Sequence, residues 1–180
     1  YNTSVLINPD GEIIGNYRKL HNFDMILPDG SSVRESDNKE PGSEIVTVQT
    51  ELGTLGFAIC YDLRFPEQFR LMRLAGAEII FLPANFTMPT GKDHWEPLIR
   101  ARAIENGVYI IAPNQTGEKE KFTAYGNSMI VDPWGAVIAR ASDKPGVILA
   151  EIDLEYLHAV RAKNPSVENR RTDLYRIDGK

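Results

Sequence analysis

The chain of 180 residues is 42% hydrophobic and 25% charged, proportions that are typical of one globular domain with a sizeable core. Its formal net charge of -5 argues against a nucleic-acid scaffold, which normally carries a basic surface. No apolar run approaches the roughly 18 residues that a membrane-spanning helix requires, so we expect no membrane partner.

The first two predicted strands form a hairpin. Ser4–Asn8 and Glu12–Tyr17 flank the sequence Pro-Asp-Gly, which is a strong turn signal. The stretch that follows, from Pro28 to Gly42, is rich in glycine, serine and aspartate. Such a composition predicts a loop.

Short β-rich runs and helical segments make up the rest of the chain. Further strands are predicted at Ile45–Thr50, Leu55–Cys60, Glu78–Leu82, Val108–Pro113, Gly126–Val131, Ala136–Ala141 and Val147–Ile152. Helices are predicted at Pro66–Ala75, Asp93–Asn106 and Leu154–Ala162. Pro66 suits the first turn of a helix, and Gly76 and Gly107 are placed to end the first two helices.

Two twelve-residue segments are similar to each other. Ser4–Gly15 (SVLINPDGEIIG) aligns without gaps to Ser128–Ala139 (SMIVDPWGAVIA). The two segments are either equivalent hairpins, one in each half of a two-sheet sandwich, or unrelated hairpins that share the usual preference for proline and glycine. The sequence leaves both explanations open.

The only cysteine stands where a nucleophile could lie. Cys60 ends an apolar run, and the chain turns there towards the helix that begins at Pro66. Open α/β sheets hold ligands at the carboxyl ends of their strands, and a nearby helix N-terminus lowers the pKa of a thiol. This pattern predicts a strand-to-helix nucleophile elbow. The alternative is that Cys60 is a buried hydrophobe, which is the commoner role of a free cysteine.

The cysteine and histidine content also bears on compartment and cofactors. A single cysteine cannot form an internal disulfide, which favours a reducing, cytoplasmic compartment. His21, His94 and His158 are far apart and lack a metal-binding spacing. We therefore expect no metal and no organic cofactor.

A nucleophilic thiolate usually has a basic partner, most often a histidine. His21 and His94 lack the sequence context of a catalytic triad. Lys19, at the end of the second hairpin strand, is the other cationic candidate. By default, a lysine in this place is a solvated charge, and it becomes catalytic only if the fold brings it beside Cys60.

Several motifs, taken in order, resemble one enzyme family. YRKLHNFD and CYDLRFPE are followed by GAEIIFLPANF, GKDHWEPLIRARAIEN, YGNSMIVDPWG and RRTDLY. This series resembles the nitrilase superfamily of carbon-nitrogen hydrolases, and in particular its Nit-type amidases. The resemblance covers nearly the whole chain. It implies a four-layer αββα sandwich that lacks its N-terminal strands and helices, with residues 1–180 forming the C-terminal two-thirds of a single hydrolase domain.

The resemblance also implies roles for individual residues. Cys60 would be the nucleophile of a Glu-Lys-Cys triad and Lys19 the cation beside the tetrahedral oxyanion. The backbone N–H of Tyr61 would be a second oxyanion donor. Glu35 would take the place of an auxiliary glutamate that orients Lys19 and the attacking water. On the residues alone, Glu35 is an ordinary loop carboxylate.

Three further residues are candidates for the substrate pocket. Arg64 follows the elbow and contributes either to substrate recognition or only to the charged surface of the first helix. Asn85 and Phe86 follow the next predicted strand at the same sheet edge, so we expect them to line the pocket.

One triad member is missing from the sequence. The family's general-base glutamate lies upstream of the lysine, and this chain begins at Tyr1. Glu12 lies in the wrong hairpin to replace it. We therefore expect the polypeptide by itself to be inactive, as part of a longer enzyme.

The resemblance implies hydrolysis of a linear carboxamide to a carboxylate and ammonia through a cysteine thioester. Deaminated glutathione, an omega-amido acid, a carbamoyl amine and a nitrile all remain open as substrates. The alternative function is that of a catalytically silent binding or scaffold subunit, since the base is absent. The family resemblance further implies a homodimer or higher homo-oligomer.

Overall fold

The computed structural model describes residues 1–26, 30 and 32–178, and it contains both helices and strands. In chain order the strands are β1 (Thr3–Ile7), β2 (Ile13–Arg18), β3 (Asp24–Ile26), β4 (Ser32–Arg34), β5 (Thr47–Thr50), β6 (Gly53–Phe57), β7 (Ile79–Phe81), β8 (Tyr109–Ala112), β9 (Thr116–Glu118), β10 (Thr123–Tyr125), β11 (Met129–Val131) and β12 (Val137–Arg140). The helices are α1 (Pro66–Leu74), α2 (Met88–Thr90), α3 (Glu96–Asn106) and α4 (Leu154–Lys163), with a π-helical turn at Gly91–Trp95 and 3-10 turns at Glu35–Asp37 and Cys60–Arg64.

A six-stranded mixed sheet forms the centre of the molecule. Its strand order is β12-β11-β8-β7-β6-β5. The three central strands β6, β7 and β8 are parallel, and the outer pairs are antiparallel. β7 and β8 are short apolar runs, as expected for parallel strands that are covered on both faces. The carboxyl ends of the three parallel strands therefore meet at one edge of the sheet.

Helices cover one face of this sheet. Phe69 and Met72 of α1 and Ile99 and Ala103 of α3 are fully buried in one apolar cluster with the sheet. Pro66 stands in the first turn of α1, as predicted. The left-handed Gly107 ends α3, and its N–H donates to the carbonyl of Ala103. Pro66 and Gly107, which predicted the start of one helix and the end of another, therefore lie at the observed start of α1 and the observed end of α3.

The opposite face of the sheet carries the hairpin and the last helix. Tyr17 of β2 and Leu157 of α4 are fully buried there, in a second cluster with Leu55, Ile79 and Tyr109 of the sheet. The β1–β2 hairpin forms its own two-stranded sheet. Side chains therefore hold the hairpin against the six-stranded sheet.

The two similar sequence segments form the same local structure. β1–β2 and β11–β12 are antiparallel hairpins, and each shifts its register at the same aligned step, after Leu6 and after Ile130. Asn8 and Asp132 then fill equivalent places. The side-chain oxygen of Asn8 accepts the N–H groups of the residues two and four positions later, and that of Asp132 does the same. The resemblance is therefore one of detailed turn geometry, in two different sheets.

The second helix begins earlier than predicted. Its helical segment starts at Met88, because α2 and the π-helical turn precede α3 without a break. Gly91 in that turn lies against the ring of Tyr125, and a Cβ atom at this position would stand 2.3 Å from the ring. A larger residue would therefore force the turn away from Tyr125.

Three further features depart from the sequence prediction. β3–β4 lies partly within the predicted loop Pro28–Gly42, of which residues 28, 29 and 31 lie outside the described residues. β9–β10 is a second unpredicted hairpin. The prediction of a strand at Val147–Ile152 is wrong: no neighbouring strand pairs with it among the described residues, and Val147 is 86% exposed.

No helix in the described part of the chain has the length and apolar character needed to cross a membrane.

Candidate active site

A cavity of about 800 Å³ lies at the carboxyl edge of the parallel strands. One wall comes from the segments that follow β6, β7 and β8, and the other from the end of β2 and the residues after it. The lining includes Lys19, Phe23, Glu35, Lys39, Ile59, Cys60, Pro83, Ala84, Asn85, Pro113, Asn114 and Gln115. The fold thus brings Cys60, Lys19 and Glu35 to one cavity.

Cys60 stands at a sharp turn between a strand and a helix. Its backbone N–H donates to the carbonyl of Pro83 at 2.9 Å, which continues the parallel pairing beyond β6. Cys60 has a positive φ of 50°, which is uncommon for a residue other than glycine. The 3-10 turn Cys60–Arg64 then leads into α1. The predicted strand-to-helix elbow is therefore the observed geometry.

The electrostatic environment of the thiol differs from the prediction. Burial raises the pKa of Cys60 above its usual value, and the charges of Glu35 and Asp62 add to this effect. The backbone N–H of Asn85 and the charge of Lys19 act in the opposite direction but do not reverse it. The expectation of a lowered thiol pKa is therefore wrong, because loss of solvation outweighs the local donors. The thiol of Cys60 is therefore harder to ionise than that of a free cysteine.

Lys19 and Glu35 form an ion pair in the cavity wall. The ammonium of Lys19 contacts Glu35 Oε2, and the side chain of Lys19 is 3% exposed. The same carboxyl oxygen accepts the backbone N–H of Phe23 at 2.8 Å. Asn2 Nδ2 donates to Glu35 Oε1 at 3.4 Å. Glu35 therefore holds the ammonium of Lys19 in place.

The carboxyl group of Glu35 is ionised near neutral pH. Its burial by itself raises the pKa, but the hydrogen bonds from Lys19 and Phe23, with the charge of Lys19, outweigh burial and bring the pKa below its ordinary value. A buried lysine is thus matched by a partly buried carboxylate.

A second polar network joins the lysine segment to the cysteine turn. The fully buried Asp62 accepts four hydrogen bonds: from Tyr17 Oη at 2.5 Å, from Ile59 N–H at 2.8 Å, and from the backbone N–H and ring Nδ1 of His21 at 3.1 and 2.8 Å. The His21 ring also stacks on Phe65 with ring centres 3.6 Å apart. Tyr17 and His21 lie in the motif YRKLHNFD and Asp62 lies in CYDLRFPE, but no local pattern in either motif indicates that they meet.

The predicted oxyanion donor Tyr61 and the three predicted pocket residues lie in different places. Asn85 lines the cavity. The other three, Tyr61, Arg64 and Phe86, are absent from the cavity lining in the described part of the chain. The Tyr61 ring packs edge-on against Phe23, and the Arg64 guanidinium lies 5.7 Å from the ring of Phe86. The side chains of Tyr61, Arg64 and Phe86 thus make ring contacts near the elbow and do not line the cavity.

Asn114 is a cavity residue that sequence reasoning missed. Its Oδ1 atom accepts the N–H of Phe86 at 3.0 Å, and its Nδ2 atom donates to the carbonyl of Gly126 at 2.7 Å. It therefore ties together the loops that follow β7 and β10.

Across residues 1–26, 30 and 32–178, no group of three or more histidine, cysteine and acidic side chains could hold a metal ion.

The chain belongs to the carbon-nitrogen hydrolase family, whose model matches residues 1–162. It is 46% identical over 173 residues to the deaminated glutathione amidase of Synechocystis, and 46% identical over 177 residues to that of Homo sapiens. These matches cover 94% and 97% of this chain. The chain spans 64% and 54% of the lengths of these two relatives.

Solved structures agree with this assignment. The NitFhit protein of Caenorhabditis elegans is similar with a TM-score of 0.93 and 45% identity, over 98% of this chain and 43% of that one. Nit3 of Saccharomyces cerevisiae, a member of the nitrilase superfamily, is similar with a TM-score of 0.85 and 37% identity, over 95% of this chain and 60% of that one. The predicted nitrilase-type α/β fold is confirmed.

Proposed function

We propose that this protein hydrolyses a linear carboxamide to a carboxylate and ammonia through a thioester on Cys60. The observation that carries the proposal is the convergence of Cys60, Lys19 and Glu35 on one cavity at the carboxyl edge of the sheet. Membership of the carbon-nitrogen hydrolase family supports the same chemistry.

The proposed reaction has two halves. The Cys60 thiol loses its proton to a base, and the sulfur attacks the amide carbon, so that a C–S bond forms and the carbonyl electrons move to oxygen. Lys19 and a backbone N–H, which we assign to Tyr61, stabilise this oxyanion. The C–N bond then breaks, and the nitrogen takes a proton and leaves as ammonia. Water next attacks the thioester, which releases the carboxylate and restores the thiol.

We propose that the 180-residue chain alone has no appreciable activity. Burial raises the pKa of Cys60, so the thiol stays protonated until a base acts on it. Glu35 is the carboxylate in the described cavity lining, and its ion pair with Lys19 makes it a weak base. The family resemblance assigns the base to a glutamate upstream of Tyr1.

The experiment compares the 180-residue chain with the protein expressed from its complete gene. Both are incubated with the amide substrate, and ammonia release is measured, with Cys60→Ala in each as the control. We expect ammonia release, and a mass increase on the Cys60 peptide during turnover, only in the longer protein. Equal rates in both proteins would overturn the proposed need for an additional base.

We further propose that the substrate is the amide of a small acid, such as deaminated glutathione, which the names of the similar amidases include. The ionisable side chains of the described cavity lining are Lys19, Glu35, Lys39 and Cys60. Lys19 and Glu35 neutralise each other, which leaves the positive charge of Lys39. A cavity with this charge favours an anionic substrate.

Lys39→Ala tests the preference for an acidic substrate. We expect the variant to raise KM for the acidic amide about three- to tenfold and to leave KM for a neutral amide of the same length unchanged. Lys163→Ala, at the end of α4, is the control for a lysine outside the cavity lining. An equal effect on both substrates would contradict the role of Lys39.

The alternative of a silent scaffold subunit finds no support in the comparisons. The relatives from Synechocystis and Homo sapiens are named amidases. Failure of the complete protein to hydrolyse any of the four substrate classes named above would favour the alternative.

We also propose a cytoplasmic homodimer that assembles through the helices following the elbow. Leu74 of α1 and Ile104 of α3 are apolar and exposed, which suits a buried interface. Light scattering on Leu74→Glu and Ile104→Glu, with Leu52→Glu as the control for an exposed leucine elsewhere, tests this proposal. We expect the first two variants to become monomeric, and an unchanged mass in both would contradict it.

A further inference from the structure

One carboxylate connects the segments that carry Lys19 and Cys60. Tyr17 and His21 stand two residues before and two residues after Lys19, and both donate to Asp62. Asp62 itself stands two residues after Cys60. The same group therefore contacts both flanks of the lysine and belongs to the turn of the nucleophile.

Four polar contacts converge on the carboxyl group of Asp62. The hydroxyl of Tyr17 and the backbone N–H groups of Ile59 and His21 donate to the carboxyl oxygens, and Nδ1 of the His21 ring contacts Oδ1. Burial, followed by the charge and hydrogen bond of Asp62, raises the pKa of Tyr17, so its hydroxyl stays a donor. Gln68 Nε2 and the N–H of Leu20 donate in turn to Tyr17 Oη. The network leaves the lysine segment little freedom to move.

Main-chain pairing does not provide this connection. β2 pairs with β1 in a two-stranded sheet, whereas Cys60 follows a strand of the six-stranded sheet. The main chain holds Lys19 through one bond, from the N–H of Gly42 to the Lys19 carbonyl at 2.7 Å. The side-chain network of Asp62 adds the contacts that tie Lys19 to the turn of Cys60. A misplacement of about 1 Å in such an arrangement can lower a rate about 100-fold.

The charge of Asp62 gives no direct help to the nucleophile. It raises the pKa of Cys60, whereas the charge of Lys19 lowers it. Asp62 is fully buried even though its charge opposes ionisation of the thiol. Its burial is therefore better explained by the donor groups that it holds together.

We propose that Asp62 is a positioning residue, which fixes the Lys19 ammonium relative to the Cys60 sulfur through Tyr17 and His21. This inference rests on the roles proposed above for Lys19 and Cys60. Asp62 is not among the described residues that line the cavity. It acts on the geometry of Lys19 and Cys60, which do line it.

His21 offers a matched pair of variants, because its ring makes two separable contacts. His21→Asn keeps an N–H donor near the position of Nδ1 but loses the stack on Phe65. His21→Phe keeps the stack and the backbone N–H donor but loses the contact of the ring nitrogen with Asp62. Since the ring of His21 is partly exposed, both variants should fold, and thermal unfolding checks this.

In the protein from the complete gene, we expect His21→Phe to lower kcat for the amide about 10- to 100-fold with KM changed less than threefold. His21→Asn should restore most of the loss. Equal kcat values for the two variants, or a His21→Phe variant with the wild-type kcat, would overturn the positioning role.

A second measurement does not depend on turnover. The alkylation rate of Cys60 by iodoacetamide is followed on the Cys60 peptide, with and without Lys19→Ala, in each His21 background. Lys19→Ala should slow alkylation in the wild type and in His21→Asn but have little effect in His21→Phe. A full Lys19 effect in His21→Phe would overturn the inference. A wild-type protein that shows this coupling but releases no ammonia would disprove the proposed function alone.

Discussion

The two sides of the cavity differ in how they are held. The cysteine side belongs to the six-stranded sheet and its helices, where side chains such as Phe69 are fully buried. The lysine side is a two-stranded hairpin whose outer face exposes Val5, Ile7 and Ile13. Apolar packing dominates the first side, whereas the second side combines the apolar contacts of Tyr17 and Leu6 with a few buried polar contacts. The proposed chemistry therefore depends on two parts of the molecule with very different sources of rigidity.

The sharpest test of the cysteine side removes the sulfur. In the protein from the complete gene, Cys60→Ala should lower kcat on the order of 10⁴-fold or more, because no thioester can form. Ammonia release measures the rate, and circular dichroism checks the fold. Cys60→Ser, which keeps a weaker nucleophile, is the matched variant. Substantial activity of Cys60→Ala would show that another residue attacks the amide.

A pair of truncations compares the packing of the two sides directly. Phe69→Ala should lower the free energy of unfolding by about 3–5 kcal/mol, because it leaves a cavity in the core. Ile13→Ala on the exposed face of the hairpin should change it by no more than about 0.5 kcal/mol. Urea unfolding of the 180-residue chain measures both. Similar losses would show that the two sides are equally well packed.

The chemistry of the lysine side is tested at Lys19. Lys19→Ala should lower kcat about 10²- to 10³-fold with little change in KM, because it removes the cation that faces the oxyanion. Arg18→Ala is the control, since Arg18 is the neighbouring residue and points outwards over the ring of Tyr1. A loss of the same size in both variants would indicate damage to the hairpin rather than loss of the cation.

The ion pair of the lysine side should also appear in the pH dependence of stability. The folded-state pKa of Glu35 lies below its ordinary value of 4.5, so its stabilising contribution is present above about pH 4.5 and is lost as the pH falls through the folded pKa. Glu35→Gln should lower the free energy of unfolding by about 1–3 kcal/mol near neutral pH. The difference from the wild type should shrink on acidification, as measured by urea unfolding across the pH range. A difference that is constant with pH would contradict the assignment.

Local sequence patterns predicted most of the elements that place the site. The Pro-Asp-Gly turn marked the β1–β2 hairpin, and Pro66 and Gly107 marked helix ends, because each of these residues restricts its own backbone. The hairpins β3–β4 and β9–β10 have strands of three residues, which is too short for an alternating pattern to be recognised. Val147–Ile152 has a strand-like composition, but composition does not supply a neighbouring strand.

The candidate site was less predictable than the fold. Its polar contacts join residues 41 and 45 positions apart, as between His21 or Tyr17 and Asp62, and no local pattern encodes such a distance. The predicted direction of the thiol pKa shift was wrong for a related reason. The local sequence showed a helix N-terminus near Cys60, whereas burial, which depends on the whole fold, decides the direction of the shift.

The positive φ at position 60 suits a glycine, whereas the proposed chemistry requires a cysteine there. A left-handed backbone at a residue with a side chain stores strain of about 1–3 kcal/mol, and glycine adopts it freely. In a library randomised at this position, selection for folded protein alone should therefore enrich glycine. Selection for growth on the amide as a nitrogen source should instead retain cysteine alone. The difference between the enrichment of glycine and that of cysteine then measures how much stability the protein loses by having a cysteine at this position.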